Sequence, residues 1–191
     1  MVTSVKAYLL FLGLIAIERG FELALSHRNA RIAFSRGARE YGQKPFRLMA
    51  ALHSAFLPAC AAEVILLHRP FPGLLGAIAL LGALGSQALR YWAILTLGSR
   101  WNVKIIAVPG ERPITGGPYR FIRHPNYVAV GLEMACVPLI HGCWLTAIVF
   151  SIANALVLQT RIRGEEKALG EAYAAAFSDR PRFLPRLHRG A

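Results

Sequence analysis

Apolar residues fall into five long segments along the chain, separated by polar and basic stretches. The first runs from about Ser4 to Leu25, and its uninterrupted part is Ala7 to Ile17. The second runs from about Leu48 to Leu67 and contains His53, Pro58 and Glu63. The third runs from about Leu74 to Leu97 and carries Gln87 and Arg90. The fourth, Tyr127 to Ile140, and the fifth, Trp144 to Gln159, are parted only by His141, Gly142 and Cys143. A helix needs about 20 residues to cross a bilayer, and the first three segments reach that length. The last two are shorter and predict a tight helical hairpin. Beyond Arg163, Glu165, Glu166, Lys167 and Glu171 alternate with Ala168, Leu169, Ala172, Tyr173 and Phe177, which predicts an amphipathic cytoplasmic helix. That helix ends before Pro181, with Pro185 following. The least helical stretch is Trp101 to Gly117. Its β-branched run at 103–108 and its Pro109-Gly110 and Gly116-Gly117-Pro118 turns fit a short hairpin or an irregular loop equally well. The pattern predicts an all-α integral membrane protein: five transmembrane helices, the last two a short hairpin, and a C-terminal amphipathic helix.

Composition makes the membrane reading stronger. Of 191 residues, 55% are apolar and only 17% charged, against about 25% charged in an ordinary soluble domain. Mean hydropathy is +0.42. A soluble domain of this size still exposes roughly a third of its unfolded surface, so it cannot hide this much apolar material. The net charge of +12 would suggest nucleic acid on a soluble chain. Here its distribution gives a simpler reason. Residues 27–47, 100–123 and 161–189 hold 18 of the 22 Lys and Arg residues. With five crossings all three stretches fall on one side, leaving Lys6, Arg69 and the turn at Gly142 on the other. The excess of Lys and Arg in cytoplasmic loops then places the N-terminus outside and the C-terminus in the cytoplasm. Nucleic acid is thereby dropped as a partner.

Cys60, Cys136 and Cys143 lie in apolar stretches with no ligand or disulfide spacing, so no metal site is expected. A cleavable signal peptide is not expected either, because Glu18, Arg19 and Glu22 occupy the region of a cleavage site. No repeat or linker divides the chain, which reads as one domain over 1–191: a three-helix membrane part at 1–100 and a part at 101–191 that holds the motifs described next. Gly82-Ala-Leu-Gly85 lacks a preceding strand, so these glycines suggest close helix packing, not a soluble nucleotide fold. Glu63 and Glu133 sit inside apolar segments and should face the bundle interior. Glu18 and Glu22 are expected to pair with Arg90 or another arginine. His53 and His141 carry no ligand spacing.

Two clusters concentrate chemistry. The first is GGPYRFIRHPNY (116–127), which joins a loop to an apolar helix. Pro125 suits a first helical turn, and such a helix start presents free backbone N–H groups and a positive dipole end. Tyr119, Arg120, Arg123, His124 and Tyr127 add donors there; as a bland alternative they are a basic anchor with interfacial tyrosines. The second is RIRGEE (161–166), where helical spacing puts Arg161 with Glu165 and Arg163 with Glu166. Its bland alternative is a pair of weak surface ion pairs.

Together with GEAYAAAF (170–177) and RPRFLP (180–185), these segments resemble the isoprenylcysteine carboxyl methyltransferase family, in order and in spacing. The resemblance covers residues 117–185 firmly, and 87–102 also look like bacterial members. Ala129 departs from a position the family often fills with Gly. The resemblance implies S-adenosylmethionine as methyl donor, in a cytoplasm-facing pocket built on the loop region. Tyr119, Arg120, His124, Pro125 and Tyr127 would line it, Glu165 and Glu166 would close it, and Arg161 would be the catalytic arginine at the reacting centre. It further implies an O-methyltransferase of the bacterial inner membrane acting on a lipophilic acceptor from the bilayer. That acceptor is a prenylcysteine-like carboxylate or, by likeness of 26–42 to a branch associated with type III polyketide synthases, an alkylpyrone or alkylresorcinol hydroxyl. An anionic acceptor oxygen needs no general base, only a cation that orients it, and a guanidinium suits that task. The competing readings are an NADPH-dependent sterol-type reductase and a non-catalytic membrane module.

Overall fold

The computed structural model describes residues 2–184; Pro185, Arg186 and Arg189 lie outside the described residues. Among the described residues there are five α-helices: α1 (Val2–Ser35), α2 (Gln43–Leu66), α3 (Leu74–Leu97), α4 (Pro125–Leu139) and α5 (Trp144–Ala176). Two three-residue strands, β1 (Arg39–Tyr41) and β2 (Ile105–Ala107), pair antiparallel with Tyr41 opposite Ile105. The stretch 103–108 is therefore neither a local hairpin nor an irregular loop. Its strand finds a partner more than 60 residues away in sequence.

Helix α1 runs ten residues past the apolar segment that predicted it. No Gly or Pro interrupts 27–35, and the helix stops at Gly37, whose φ of +77° suits the left-handed turn there. Helices α3 and α4 pack most intimately. A Cβ at Gly82 would stand 2.6 Å from Cys136 Sγ, and one at Gly76 would stand 2.7 Å from the Ile140 carbonyl. Gly85, by contrast, faces open space, so only one of the two glycines of the 82–85 pair serves the contact. Helix α5 continues well past Gln159 and is broken at Gly170, after which a last turn carries Tyr173 inward.

Three helices, at Gln43–Leu66, Leu74–Arg100 and Trp144–Ala176, are long and apolar enough to cross a membrane. The outer surface agrees with them: Leu74 and Leu95 on α3 are 77% and 79% exposed, and Ile148, Ile152 and Leu156 also face outward from α5. Apolar side chains so displayed belong against lipid. The interior holds one core of Tyr8, Leu12, Phe56, Cys60, Met134 and Val137, and a smaller cluster of Ala93, Tyr119, Tyr173 and Phe177.

The chain runs up and down this bundle. Tyr8 near the start of α1 donates to the Val137 carbonyl at the end of α4, 3.1 Å away. Asn29 near the end of α1 donates to the Trp101 carbonyl, 2.8 Å away, beyond the end of α3. At the Tyr8 end, Glu63 of α2 receives the backbone N–H of Thr146 at 2.7 Å and of Leu145 at 3.2 Å, which caps α5. Arg69 pairs with the same carboxylate at 3.0 Å.

Candidate active site

The basic stretches gather at the opposite end. β1 pairs with β2, Lys104 meets Glu40 at 3.0 Å, and Glu111 is gripped by Arg36 at 2.8 Å and Arg100 at 3.1 Å. Beneath this layer a cavity of about 1020 Å³ opens among all five helices.

Pro125 starts α4, as its position after His124 predicts, and is itself buried. The chain before it makes a single turn of 3₁₀ helix at Gly117–Arg120, where Gly117 adopts φ +53° against Thr96. That turn buries Tyr119 on the cavity wall. Burial, and after it the Glu165 carboxylate, raise the pKa of the Tyr119 hydroxyl, so it stays neutral. Arg120 points the other way: it is exposed and lies over the Phe121 ring at 4.4 Å.

The two clusters converge. His124 Nε2 lies 3.0 Å from Glu166 Oε1, and its Nδ1 lies 4.0 Å from Glu165. The Tyr127 hydroxyl donates to Glu165 and accepts from Arg161 Nε at 2.9 Å. Arg161 is only 4% exposed. Its Nη2 donates to the Val103 carbonyl just before β2, and its Nη1 has no partner. A buried guanidinium with one free N–H group on a cavity wall is a place where an oxygen of a ligand is wanted. Tyr119, His124, Tyr127, Arg161 and Glu165 all line the cavity; Glu166, Pro125 and Arg120 stand outside its wall.

Several contributing groups were not singled out by sequence reasoning. Asn126 lines the cavity with its Oδ1 buried and unpartnered. Tyr173 lines it as well, 6.2 Å from the His124 ring. The segment after α5 closes back on the motif: Arg123 N–H donates to the Pro181 carbonyl at 2.9 Å and His124 N–H to the Arg182 carbonyl at 3.1 Å. Arg182 also grips Glu166 with both ends of its fork, at 3.0 and 2.6 Å, and these bonds raise its own pKa. Asn126, Tyr173 and Arg182 lie within segments quoted above for the resemblance. The Val103 carbonyl has no such signal, because any residue type can supply it.

The sequence that builds this site has counterparts among known proteins. Residues 77–171, which include the start of α4, the α4–α5 hairpin and the Arg161–Glu166 cluster, match the isoprenylcysteine carboxyl methyltransferase family. An uncharacterised protein of Bacillus subtilis, YpbQ, is 37% identical over 163 residues, covering 85% of this chain and 96% of its own length. The chain belongs to the isoprenylcysteine carboxyl methyltransferase family. An uncharacterised protein of Haemophilus influenzae is 27% identical over 161 residues, covering 81% of this chain and 90% of its own. Family membership and the three apolar helices make the chain an integral membrane protein, and membership implies a membrane methyltransferase. Members of the family use S-adenosylmethionine.

Proposed function

We propose that the protein transfers a methyl group from S-adenosylmethionine to an oxygen of a lipophilic acceptor drawn from the bilayer. The observation that carries this reading is the Arg161–Tyr127–Glu165 relay, which links the arginine with a free Nη1 to a carboxylate of the second motif. The cavity residues fit the donor. Glu165 has the charge to meet an ammonium, Asn126 Oδ1 lacks a partner, and the Tyr119, His124 and Tyr173 rings offer faces for a purine or a cation. When bound there, S-adenosylmethionine supplies an electrophilic methyl: the S–C bond breaks, an O–C bond forms, and the electron pair stays on sulfur.

The rest of the work belongs to the chain. Arg161 is held from two sides, by Tyr127 and by the Val103 carbonyl, so its free Nη1 is fixed in direction before any acceptor arrives. An anionic oxygen bound to it is oriented without a general base, and positioning supplies much of the rate. Glu166, held by Arg182 and bonded to His124, keeps the His124 ring in place over Tyr127, with ring centroids 5.3 Å apart. The lipophilic part of the acceptor has Leu23, Phe46, Met49, Leu57, Val130 and Leu158 to lie against. Acceptor classes that meet these terms are a prenylcysteine-like carboxylate and an acidic alkylpyrone or alkylresorcinol hydroxyl. We also read the chain as crossing the bacterial inner membrane five times with this site on the cytoplasmic side.

Calorimetry on the detergent-solubilised protein tests the donor: S-adenosylmethionine and S-adenosylhomocysteine should both bind. Heat with NADPH and none with either of these would favour a reductase instead. Mass spectrometry of lipids from cells with and without the protein should show one lipid class gaining the mass of a single methyl.

A further inference from the structure

The cavity does not end in hydrocarbon. Deeper in the bundle its wall is made by Arg19 and Glu22 of α1, His53 of α2 and Arg90 of α3. Along α4, Glu133 behind Arg90 lies six residues beyond Tyr127, a rise of about 9 Å. These side chains form a network. Arg90 Nη2 donates to Glu133 at 2.5 Å, Arg19 Nη1 to Glu22 Oε2 at 2.8 Å, and Arg90 Nη1 stands 3.6 Å from the same Glu22 oxygen. Glu18 and Gln87 complete it on Arg19.

A purely structural network should be closed, since each unpaired polar atom in a low-dielectric interior is costly. This one is not closed, although its side chains line the cavity. Glu22 is 7% exposed and Arg90 5%, yet Glu22 Oε1 and the Nε atoms of Arg19 and Arg90 have no partner. Its two arginines face three carboxylates, so it also carries an excess negative charge when all are ionised. His53 Nδ1 lies 2.9 Å from the Met49 carbonyl, which assigns the ring hydrogen to Nδ1 and leaves Nε2 an acceptor in the neutral ring.

We propose that this deep end is a second recognition subsite, in which Glu22 Oε1 accepts a hydrogen bond from a hydroxyl or N–H group on the part of the acceptor that enters the bundle. The inference rests on the methyltransferase reading for what occupies the cavity. It narrows the acceptor to an amphiphile with two polar groups, one at Arg161 and one at Glu22, and disfavours a plain hydrocarbon end. Sites built around buried polar groups reject analogues that lack the matching donor, because the site is then left unpaired.

The test uses the full chain in detergent and a panel of 16-carbon fatty acids: the unsubstituted acid and isomers with one hydroxyl stepped along the chain. The carboxylate engages Arg161, and the hydroxyl samples the depth of the network. Wild type should bind one isomer at least about tenfold more tightly than the unsubstituted acid. Glu22→Leu should erase that preference, and Glu22→Gln, which keeps an acceptor oxygen, should retain part of it, while S-adenosylhomocysteine affinity stays within about twofold in both, which shows that the fold and donor site persist. No preference in wild type, or an equal preference in wild type and Glu22→Leu, would overturn the subsite. The wild-type panel decides even where a variant fails to accumulate. Failure of wild type to bind S-adenosylhomocysteine would instead strike the methyltransferase reading, a separate readout from the hydroxyl preference.

Discussion

Tyr127 ties the site together because its one oxygen works in both directions, donating to Glu165 and accepting from Arg161. Each neighbour then has a separate job that can be tested apart. Arg161→Ala removes the guanidinium whose unpartnered Nη1 lies beside the Tyr127–Glu165 pair, so methyl transfer should fall by on the order of 10²–10³, as for other electrostatic stabilisers. Donor affinity should change little. Glu166→Ala takes away the partner of both His124 and Arg182, so it should weaken donor binding by about tenfold. His124→Ala should act in the same direction. Paired measurements of S-adenosylhomocysteine affinity and turnover check all three. Near-normal turnover in Arg161→Ala would leave that residue a structural tie between Tyr127 and the Val103 carbonyl. The convergence of 116–127 with 161–166 was legible only through the family resemblance, because each cluster taken alone also reads as a basic anchor or as a pair of surface ion pairs. The inward turn of Tyr119 and the outward turn of Arg120 were not legible. Adjacent residues on a tight turn diverge according to where Gly117 and Pro118 direct the backbone, and composition does not record that.

At the level of elements, helix existence followed the apolar periodicity closely, while helix ends did not. α3 matches its apolar segment residue for residue, because Gly73 and Gly98 stop it at both ends. α1 overruns its segment, since polar residues continue a helix when no breaker intervenes. The β1–β2 pair was illegible for a different reason: three-residue strands this far apart in sequence carry no periodic signal, and the partner is chosen by how α1 and α5 bring them together. Glu63 shows the same limit. Sequence places it inside the bundle, but only the fold reveals it as the N-terminal cap of α5, reached from α2. Glu63→Ala strands two backbone N–H groups and Arg69, at a cost on the order of 2 kcal/mol. Thermal unfolding in detergent should show Tm lower by about 4–8 °C. An unchanged Tm would mean that the cap contributes nothing. S-adenosylhomocysteine affinity should survive, because Glu63 lies at the end of the bundle remote from His124.

At the scale of the whole molecule, connectivity constrains topology more tightly than hydropathy does. Among the described residues, only α2, α3 and α5 are long and apolar enough to qualify as spans on their own. α3 ends beside the cavity, yet α5 begins at the remote end, beside Glu63. The intervening α4 must therefore carry the chain back through the full depth, although it is only 15 residues long. It manages this because its neighbours cover it: Val130, Met134 and Val137 are buried, and it packs along α3 and α5. α1 also spans the depth, from Tyr8 beside Val137 to Asn29 beside Trp101. Its charges at Glu18, Arg19 and Glu22 are paired within the network, which lowers the cost of burying them. On the five-crossing reading proposed above, the chain would enter and leave the membrane on opposite sides. The stretches 27–47 and 100–123 meet through β1 and β2 at one end, together with the Glu166–Arg182 clasp, and that end holds most of the Lys and Arg residues. The bias of cytoplasmic loops toward these residues then predicts a cytoplasmic C-terminus and an external N-terminus. A fluorescent reporter that folds only in the cytoplasm should shine at the C-terminus and stay dark at the N-terminus. A periplasmic phosphatase fusion should give the reverse. Activity of one reporter at both ends would mean an even number of crossings, and would require either α1 or α4 to lie along the membrane surface instead of through it.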